Sequence, residues 1–572
     1  MRNIFNWKLI LLLLVLLAGF LRFYQLESIP AGFLNDEANA GYDAYSVLVT
    51  GKDQWNNFLP LNNFIGFGDF PRPVHRYLLL IPVSLFGLNE FSTRFVSALS
   101  GIFSVIALYF LVKKLINRKA AFFSALLLAI MPWAIGLSRI GHESNIAILF
   151  LIIALIFGLV QKSSKSLYYS VFFLALSMYT YSAYILYAPL ALIVVLYINY
   201  GKEKGYGNLF KPLILFLIII SPIIFQKNAA TVRFSQVGLT TNIASIGLIN
   251  DLNDQRGQCL ISFNPIICKV IDNKVLLFPS TFVKNYLAHF SPSFLYINGT
   301  STQFSILPER GLDYLFNFLP LILGIVFFFK NSKQRKLSVA FIVLFLLSPV
   351  PDALTSDGNY VRASIMQPFL ALFGGLGIYY FLDILKDKKR LRYLSTALIL
   401  LVISFSLISF FIVYLTYFKN NYSIYSQYGY QDLMTTVARE KNNYDRVYIS
   451  SHLNDAKQYI YYLFYNRYDP KLYQTKKGVV YRAASDGWIS IDKLENIYFV
   501  SSVLPVEQDA SLSSQKVLMI SSPKDFPKAI KPIFTVKDKL GNVIFEAINL
   551  SDLIRYNQQH KTLILNENIQ TN

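Results

Sequence analysis

Residues 33–48 read FLNDEANAGYDAYSVL, and they follow the apolar run Leu9–Phe20. An ionised group held near hydrocarbon is costly, so the acidic pair Asp36-Glu37 in this stretch invites a functional reading. Ala40, Ala44 and Val47-Leu48 recur at helical spacing, with Asn35 as a cap and the two acids in the first turn. The stretch therefore predicts a short helix lying on the outer membrane surface, with its acidic tip at the interface.

Outward from it, the chain is built of apolar runs. Its 572 residues are 54% hydrophobic and 16% aromatic, which excludes a disordered chain and argues against an ordinary soluble enzyme. Runs such as Leu9–Phe20, Phe122–Trp133 and Leu394–Tyr417 approach, with their flanks, the ~20 residues a bilayer requires. No small-residue cleavage site follows the first run, only Leu21-Arg22-Phe23-Tyr24, so it reads as an uncleaved span.

The formal net charge of +20 would suit nucleic acid, but its distribution speaks against that partner. The basic residues gather in short loops between apolar runs: Lys113-Lys114 to Lys119, Lys162 to Lys165, Lys202 to Lys211, Lys330 to Lys336 and Lys386 to Arg392. Such clusters favour the cytoplasmic side. Placing spans between them predicts a mainly α-helical polytopic membrane protein with about eleven crossings. These fall near 8–24, 95–112, 120–137, 144–160, 167–182, 184–199, 212–226, 313–329, 337–350, 363–382 and 394–417. Segments 25–94, 138–143, 227–312 and 351–362 then lie outside, together with everything after 418.

Two domains follow: a transmembrane unit, 1–418, and an extracytoplasmic α/β domain, 419–572. In the second, Gln431–Lys441 and Ala456–Tyr465 read as helices. Arg446–Ser450, Asn496–Ser501, Lys516–Ser521, Ile533–Lys537 and Val543–Ala547 read as strands. It has no phosphate-binding glycine loop, metal-ligand spacing or nucleophile elbow. The two cysteines, Cys259 and Cys268, share one outer loop, where a disulfide and two buried thiols both fit; we expect the disulfide.

The chemistry-bearing residues cluster in the outer segments. Phe70-Pro71-Arg72-Pro73-Val74-His75-Arg76 follows the acidic pair. Leu85-Phe86-Gly87-Leu88 and Arg94-Phe95-Val96-Ser97-Ala98-Leu99 lead into the second span, and Ser138-Arg139-Ile140-Gly141-His142-Glu143 forms the next outer loop. This ordered set resembles the GT-C superfamily of membrane glycosyltransferases, most of all the branch holding protein O-mannosyltransferases and bacterial aminoarabinose transferases. The resemblance covers roughly residues 1–200, with weaker support from Arg362 to Pro368. It implies inverting transfer of a sugar from a polyprenyl-phosphate carrier to an acceptor hydroxyl on a protein, lipid or glycan at the outer face of the plasma membrane. By position, it implies that Asp36 is the general base, Glu37 its neighbour in the motif, and Glu143 a support for acceptor or metal. The family's basic segment between prolines carries Arg72 where lysine is common.

The residue chemistry agrees with this. A phosphate leaving group develops negative charge, and arginine forks fit phosphate oxygens, which makes Arg72, Arg76, Arg139 and Arg362 donor-phosphate candidates. Each of them also fits a bland role at the headgroup level. His75 and His142 are candidate ligands for a divalent cation. Tyr179-Thr180-Tyr181-Ser182-Ala183-Tyr184 and Tyr187 suit sugar stacking, or an interfacial aromatic belt. Two rivals stand beside the transferase. A transporter or flippase would place its ionisable groups at mid-membrane, whereas here they sit in outer loops. A receptor built on the C-terminal domain would not need so many spans.

Overall fold

The computed structural model describes residues 6–161, 164–199, 207–225, 246–300, 310–331, 335–421, 423, 427–450, 457–484, 487–507 and 509–559. The expected loop positions Lys162 and Lys202, segment 227–245 and the expected helix start at Ala456 lie outside these residues.

A helix or bent helix pair occupies each of the eleven expected stretches. The first seven helices are α1 (Trp7–Phe23), α2 (Asn35–Thr50), α3 (Pro73–Phe86), α4 (Glu90–Leu115), α5 (Arg118–Ile130), α6 (Pro132–Arg139) and α7 (Ser144–Leu155). Among the described residues, four helices are long and apolar enough to cross a membrane: Glu90–Leu115, Arg335–Ala353, Arg362–Ile384 and Lys389–Asn421. The α5–α6 pair, bent by 55°, makes a fifth. The protein is thus an integral membrane protein, although by this measure the expected count of eleven is not reached. Several of the remaining helices are apolar but short, Ser144–Val160 and Tyr184–Asn199 among them.

Local chemistry sets the ends of these helices. Asn89 caps α4 by accepting from the Ser92 amide at 2.8 Å, and the Ser92 hydroxyl accepts from the Asn89 amide in return. Pro73 opens α3, where a missing N–H costs nothing. Gly51, at φ 71°, ends α2 in the left-handed region. The start of α2 differs from expectation. Asn35 is its first helical residue, and the Glu37 carboxylate reaches back to the Leu34 amide at 3.0 Å.

From the last turn of α1 onward, residues 21–32 leave a run of backbone carbonyls that needs donors. Two buried arginines supply them. Arg139 donates to the carbonyls of Leu21, Tyr24, Gln25 and Ile29, and Arg94 to those of Leu26, Glu27, Pro30 and Gly32.

The C-terminal region forms a seven-stranded sheet in the order β2-β3-β4-β1-β5-β7-β6. Its strands are β1 (Arg446–Ser450), β2 (Val479–Ala483), β3 (Ile489–Leu494), β4 (Ile497–Val500), β5 (Val517–Ser521), β6 (Phe534–Lys537) and β7 (Val543–Asn549). β1 runs parallel to β4 and β5, and the other pairings are antiparallel. β2 and β3 were not expected. β2 is exposed on both faces and so shows no inward-facing period.

This region packs on the segment between α1 and α4. Phe33, Ala38, Tyr42, Leu79 and Val83 share one buried core with Tyr461, Phe464 and Tyr473. The Tyr461 hydroxyl donates to the Phe33 carbonyl at 2.8 Å, and Tyr42 to the Tyr468 carbonyl at 3.0 Å. Gln427 accepts from the Asn35 amide at 2.9 Å, so the tip of α2 is held from above. Cys259 and Cys268 form the expected disulfide, with Cα atoms 5.7 Å apart.

Candidate active site

The face of α2 that carries Asp36 and Asn39 at i and i+3 borders a cleft of about 310 Å³. Arg72 and Arg76 enter it from the start of α3, His142 and Glu143 from the α6–α7 loop, and Arg362 from the first turn of the helix Arg362–Ile384. Asp69, Tyr181, Ser182, Thr355 and Asn359 add to its polar lining. Asp36 is exposed at the mouth, at the N-terminus of its helix.

The cations are held in different ways. The Arg76 guanidinium is buried and fixed on one side, Nε to Asp43 at 3.1 Å and Nη2 to Asn39 at 3.0 Å. Its Nη1 has no hydrogen-bond partner among the described residues, and neither has the Nε of buried Arg72 or the Nδ2 of Asn39. Burial lowers Arg72 to about 10, still a cation at neutral pH. Arg362 is anchored by Asp352 at 2.9 Å, and that carboxylate also takes His289, Ser356 and the Asn359 amide. All three atoms are buried, without a partner among the described residues, in side chains that line the cleft, and an orphaned buried polar group is expensive.

His75 and His142 each lie 3.8 Å from a Glu143 oxygen. Burial lowers the His75 imidazole to about 3, so it is neutral at pH 7, and neither ring nitrogen has a hydrogen-bond partner among the described residues. Burial would raise Glu143, but His142 and Arg76 outweigh it and hold the carboxyl below its ordinary value. His142 shares Nδ1 with Ser144 and packs edge-on to Tyr181. Among the described residues, no three His, Cys, Asp or Glu side chains gather closely enough to hold a metal ion. The two histidines are therefore placed beside Glu143 rather than in a ligand set.

Two expected site residues are placed elsewhere. Glu37 is buried away from the cleft, with Oε1 accepting from Arg94 Nε at 2.9 Å and from the Gly141 amide at 2.7 Å. Its oxygens are taken up in holding α2, the α1–α2 loop and the α6–α7 loop together. Arg139 is fully buried, and its guanidinium is spent on the four carbonyls and the Tyr414 hydroxyl. Of the tyrosines, Tyr181 meets the cleft, whereas Tyr184 and Tyr187 are buried in the helical core.

Sequence reasoning missed Asn39, Asp43, Asp69, His289 and Asp352. A signal existed for the first two. Asp36, Asn39 and Asp43 stand at i, i+3 and i+7 on one helix face, and Arg72 and Arg76 are one turn apart. Burial raises Asp43 to about 7, against the pull of Arg76 and with Asp53 adding to the rise.

Residues 69–225 match the family described as dolichyl-phosphate-mannose-protein mannosyltransferase. The match takes in Arg72, His75, Arg76 and Glu143 but begins after Asp36-Glu37. The "Putative mannosyltransferase YkcB" of Bacillus subtilis (strain 168) is 26% identical over 158 residues, 27% of this chain. That stretch spans only about a fifth, 21%, of the relative's length. ArnT from Cupriavidus metallidurans in the apo state superimposes with a TM-score of 0.50 at 13% identity, over 95% of this chain and 98% of that one. The same protein bound to undecaprenyl phosphate gives 0.49 at 12% identity, over 94% and 97%. The chain thus resembles the GT-C membrane glycosyltransferases, in mannosyltransferase-type sequence over residues 69–225 and in an ArnT-like fold along nearly its whole length.

Proposed function

We propose that the protein transfers a sugar, with inversion, from a polyprenyl-phosphate carrier to an acceptor hydroxyl at the outer membrane face. The observation that carries this reading is one cleft holding an exposed carboxylate, Asp36, opposite three arginines, two of them with unsatisfied donor atoms. The family description supports a lipid-phosphate donor, with mannose as the first sugar to test.

In the reaction, the acceptor oxygen gives its proton to the Asp36 carboxylate as it bonds to the anomeric carbon. The bond from that carbon to the phosphate oxygen breaks, and its electron pair leaves on the lipid monophosphate. Arg72, Arg76 and Arg362 stabilise that developing charge. Arg76 is aimed by Asn39 and Asp43, so little reorganisation is needed when charge appears. Glu143, ionised beside His142, orients the acceptor. In this reading Glu37 and Arg139 have structural roles. Short clusters of Lys and Arg mark the cytoplasmic side, which puts the cleft and the C-terminal sheet outside.

The test incubates purified protein with a panel of polyprenyl-phosphate sugars and an acceptor hydroxyl, and reads released lipid phosphate. Release that depends on Asp36 is expected. No release with any donor across the panel would overturn the reading.

A further inference from the structure

The helices Ile246–Ser262, Pro265–Ile271 and Lys274–Ala288 make up a folded clip outside the cleft. The Cys259–Cys268 disulfide closes it, and Arg256 Nε donates to the Asp272 carbonyl at 2.9 Å. Apart from buried Leu252, most of its large apolar side chains are exposed. Ile261 is 84% exposed, Ile266 72% and Val275 80%, with Phe263, Val270 and Ile271 also exposed. So many large apolar side chains exposed on one small unit mark an interaction site.

The clip is fixed to the rest of the molecule at one end. Tyr286 donates to the carbonyl of Leu346, which faces outward on the membrane-crossing helix Arg335–Ala353. Asn285 donates to the Ala353 carbonyl at 3.1 Å, and His289 meets Asp352 at 2.8 Å. Asp352 in turn holds Arg362 of the cleft. The clip therefore leaves the bundle at the end where the cleft lies, beside a lipid-facing helix surface. Its exposed charges are mixed, Lys269, Lys274 and Lys284 with Asp251 and Asp254, so its apolar side chains and not its charge carry the reading.

We propose that this disulfide-closed clip inserts into the lipid leaflet on the cleft side, with Ile261, Phe263, Ile266 and Val275 among the acyl chains. The inference rests on the membrane reading of the chain and not on its chemistry. Its occupant is phospholipid: Tyr286 seats the clip against Leu346, whose side chain faces outward on the membrane-crossing helix Arg335–Ala353, and the clip's exposed apolar side chains lie beside that surface.

A photo-crosslinking amino acid placed at Ile261, Ile266 or Val275, and at exposed Asp254 as a control, tests this in full-length protein. The protein is reconstituted in nanodiscs of phosphatidylethanolamine and phosphatidylglycerol, and adducts are read by mass spectrometry. Mass analysis without reduction confirms that Cys259–Cys268 has formed in each variant, which shows that the clip has folded. Phospholipid adducts at the three apolar positions, at least several-fold above Asp254, are expected. Adducts to a second copy of the chain, to the chain's own helices, or to water alone would each overturn the proposal. Because no transfer is measured, failure here leaves the glycosyltransferase reading to its own test.

Discussion

The two sides of the α2 tip hold arginine–carboxylate pairs of opposite character. At the back, Glu37 and Arg94 are closed on themselves, with both carboxylate oxygens and the whole guanidinium fork taken up by each other and by backbone groups. At the front, Asp43 aims Arg76 yet leaves its Nη1 without a partner, and Arg72 beside it has a free Nε. Both sites are buried, so burial does not distinguish them. A saturated pair holds structure, whereas a pair with donors to spare is built to receive something. Asp36 and Glu37 are neighbours in sequence, but 100° of helical rotation puts them on these two different sides.

The largest effect that sharpens this comparison is at Asp36. Asp36→Asn keeps shape and hydrogen bonding but cannot take the acceptor's proton, so turnover should fall by ~10²–10⁴-fold. Membrane insertion and thermal stability should be unchanged, because the side chain is exposed. Transfer by this variant within about threefold of wild type would remove the base from the mechanism.

At the back the expectation is reversed. Arg94→Gln leaves Glu37 buried without its charge partner and strands four backbone carbonyls, a loss of ~3–5 kcal/mol for a broken buried pair. Detergent-solubilised protein should show a large drop in melting temperature or fail to accumulate. A variant that is fully stable but dead in transfer would put Glu37 back into the chemistry, with Arg94 as its partner.

Arg72→Gln lies between these two effects. Its guanidinium Nε bonds nothing among the described residues, so stability should change little. A charge-assisted hydrogen bond to donor phosphate accounts for ~1.5–3 kcal/mol, so the apparent KM for lipid donor should rise by ~10–100-fold. Lost stability with an unchanged KM would show that Arg72 is another strut.

The positions of the helices were legible because apolar runs and basic loops are local signals. So was the acidic tip of α2, and so was the disulfide, whose two cysteines share one loop. What the arginines do was not legible. Arg94 and Arg139 have the same five donors as Arg72, and whether a fork meets carbonyls or a cleft depends on segments far away in sequence. The turn at residues 21–32 is the case in point, since nothing in its composition announces a row of carbonyls needing two guanidinium groups. The docking of the C-terminal sheet was hidden for the same reason. Phe33, Tyr42 and Tyr461 read as isolated aromatics until the fold brings them into one core.

The smallest predicted effect concerns pH and separates the open pair from the closed one. An unfolded aspartate titrates near 3.8, whereas Asp43 in the fold titrates near 7, because burial outweighs the attraction of Arg76. The folded chain therefore binds this proton more tightly than the unfolded chain. The stability it contributes is complete below about pH 4 and is lost as pH rises through 7. The same titration acts on the cleft. As pH falls through 7, Asp43 becomes neutral, the local charge rises by one, and Arg76 is less committed to its partner. A phosphodiester donor keeps its single negative charge throughout this range, so it should bind more tightly at pH 6 than at pH 8. The shift in apparent KM should be less than about tenfold, the equivalent of one pKa unit. Asp43→Asn should flatten that dependence while leaving the pH profile of turnover, which follows Asp36, in place. A variant whose KM keeps the wild-type slope would assign the titration elsewhere and leave Asp43 as a fixed clamp on Arg76.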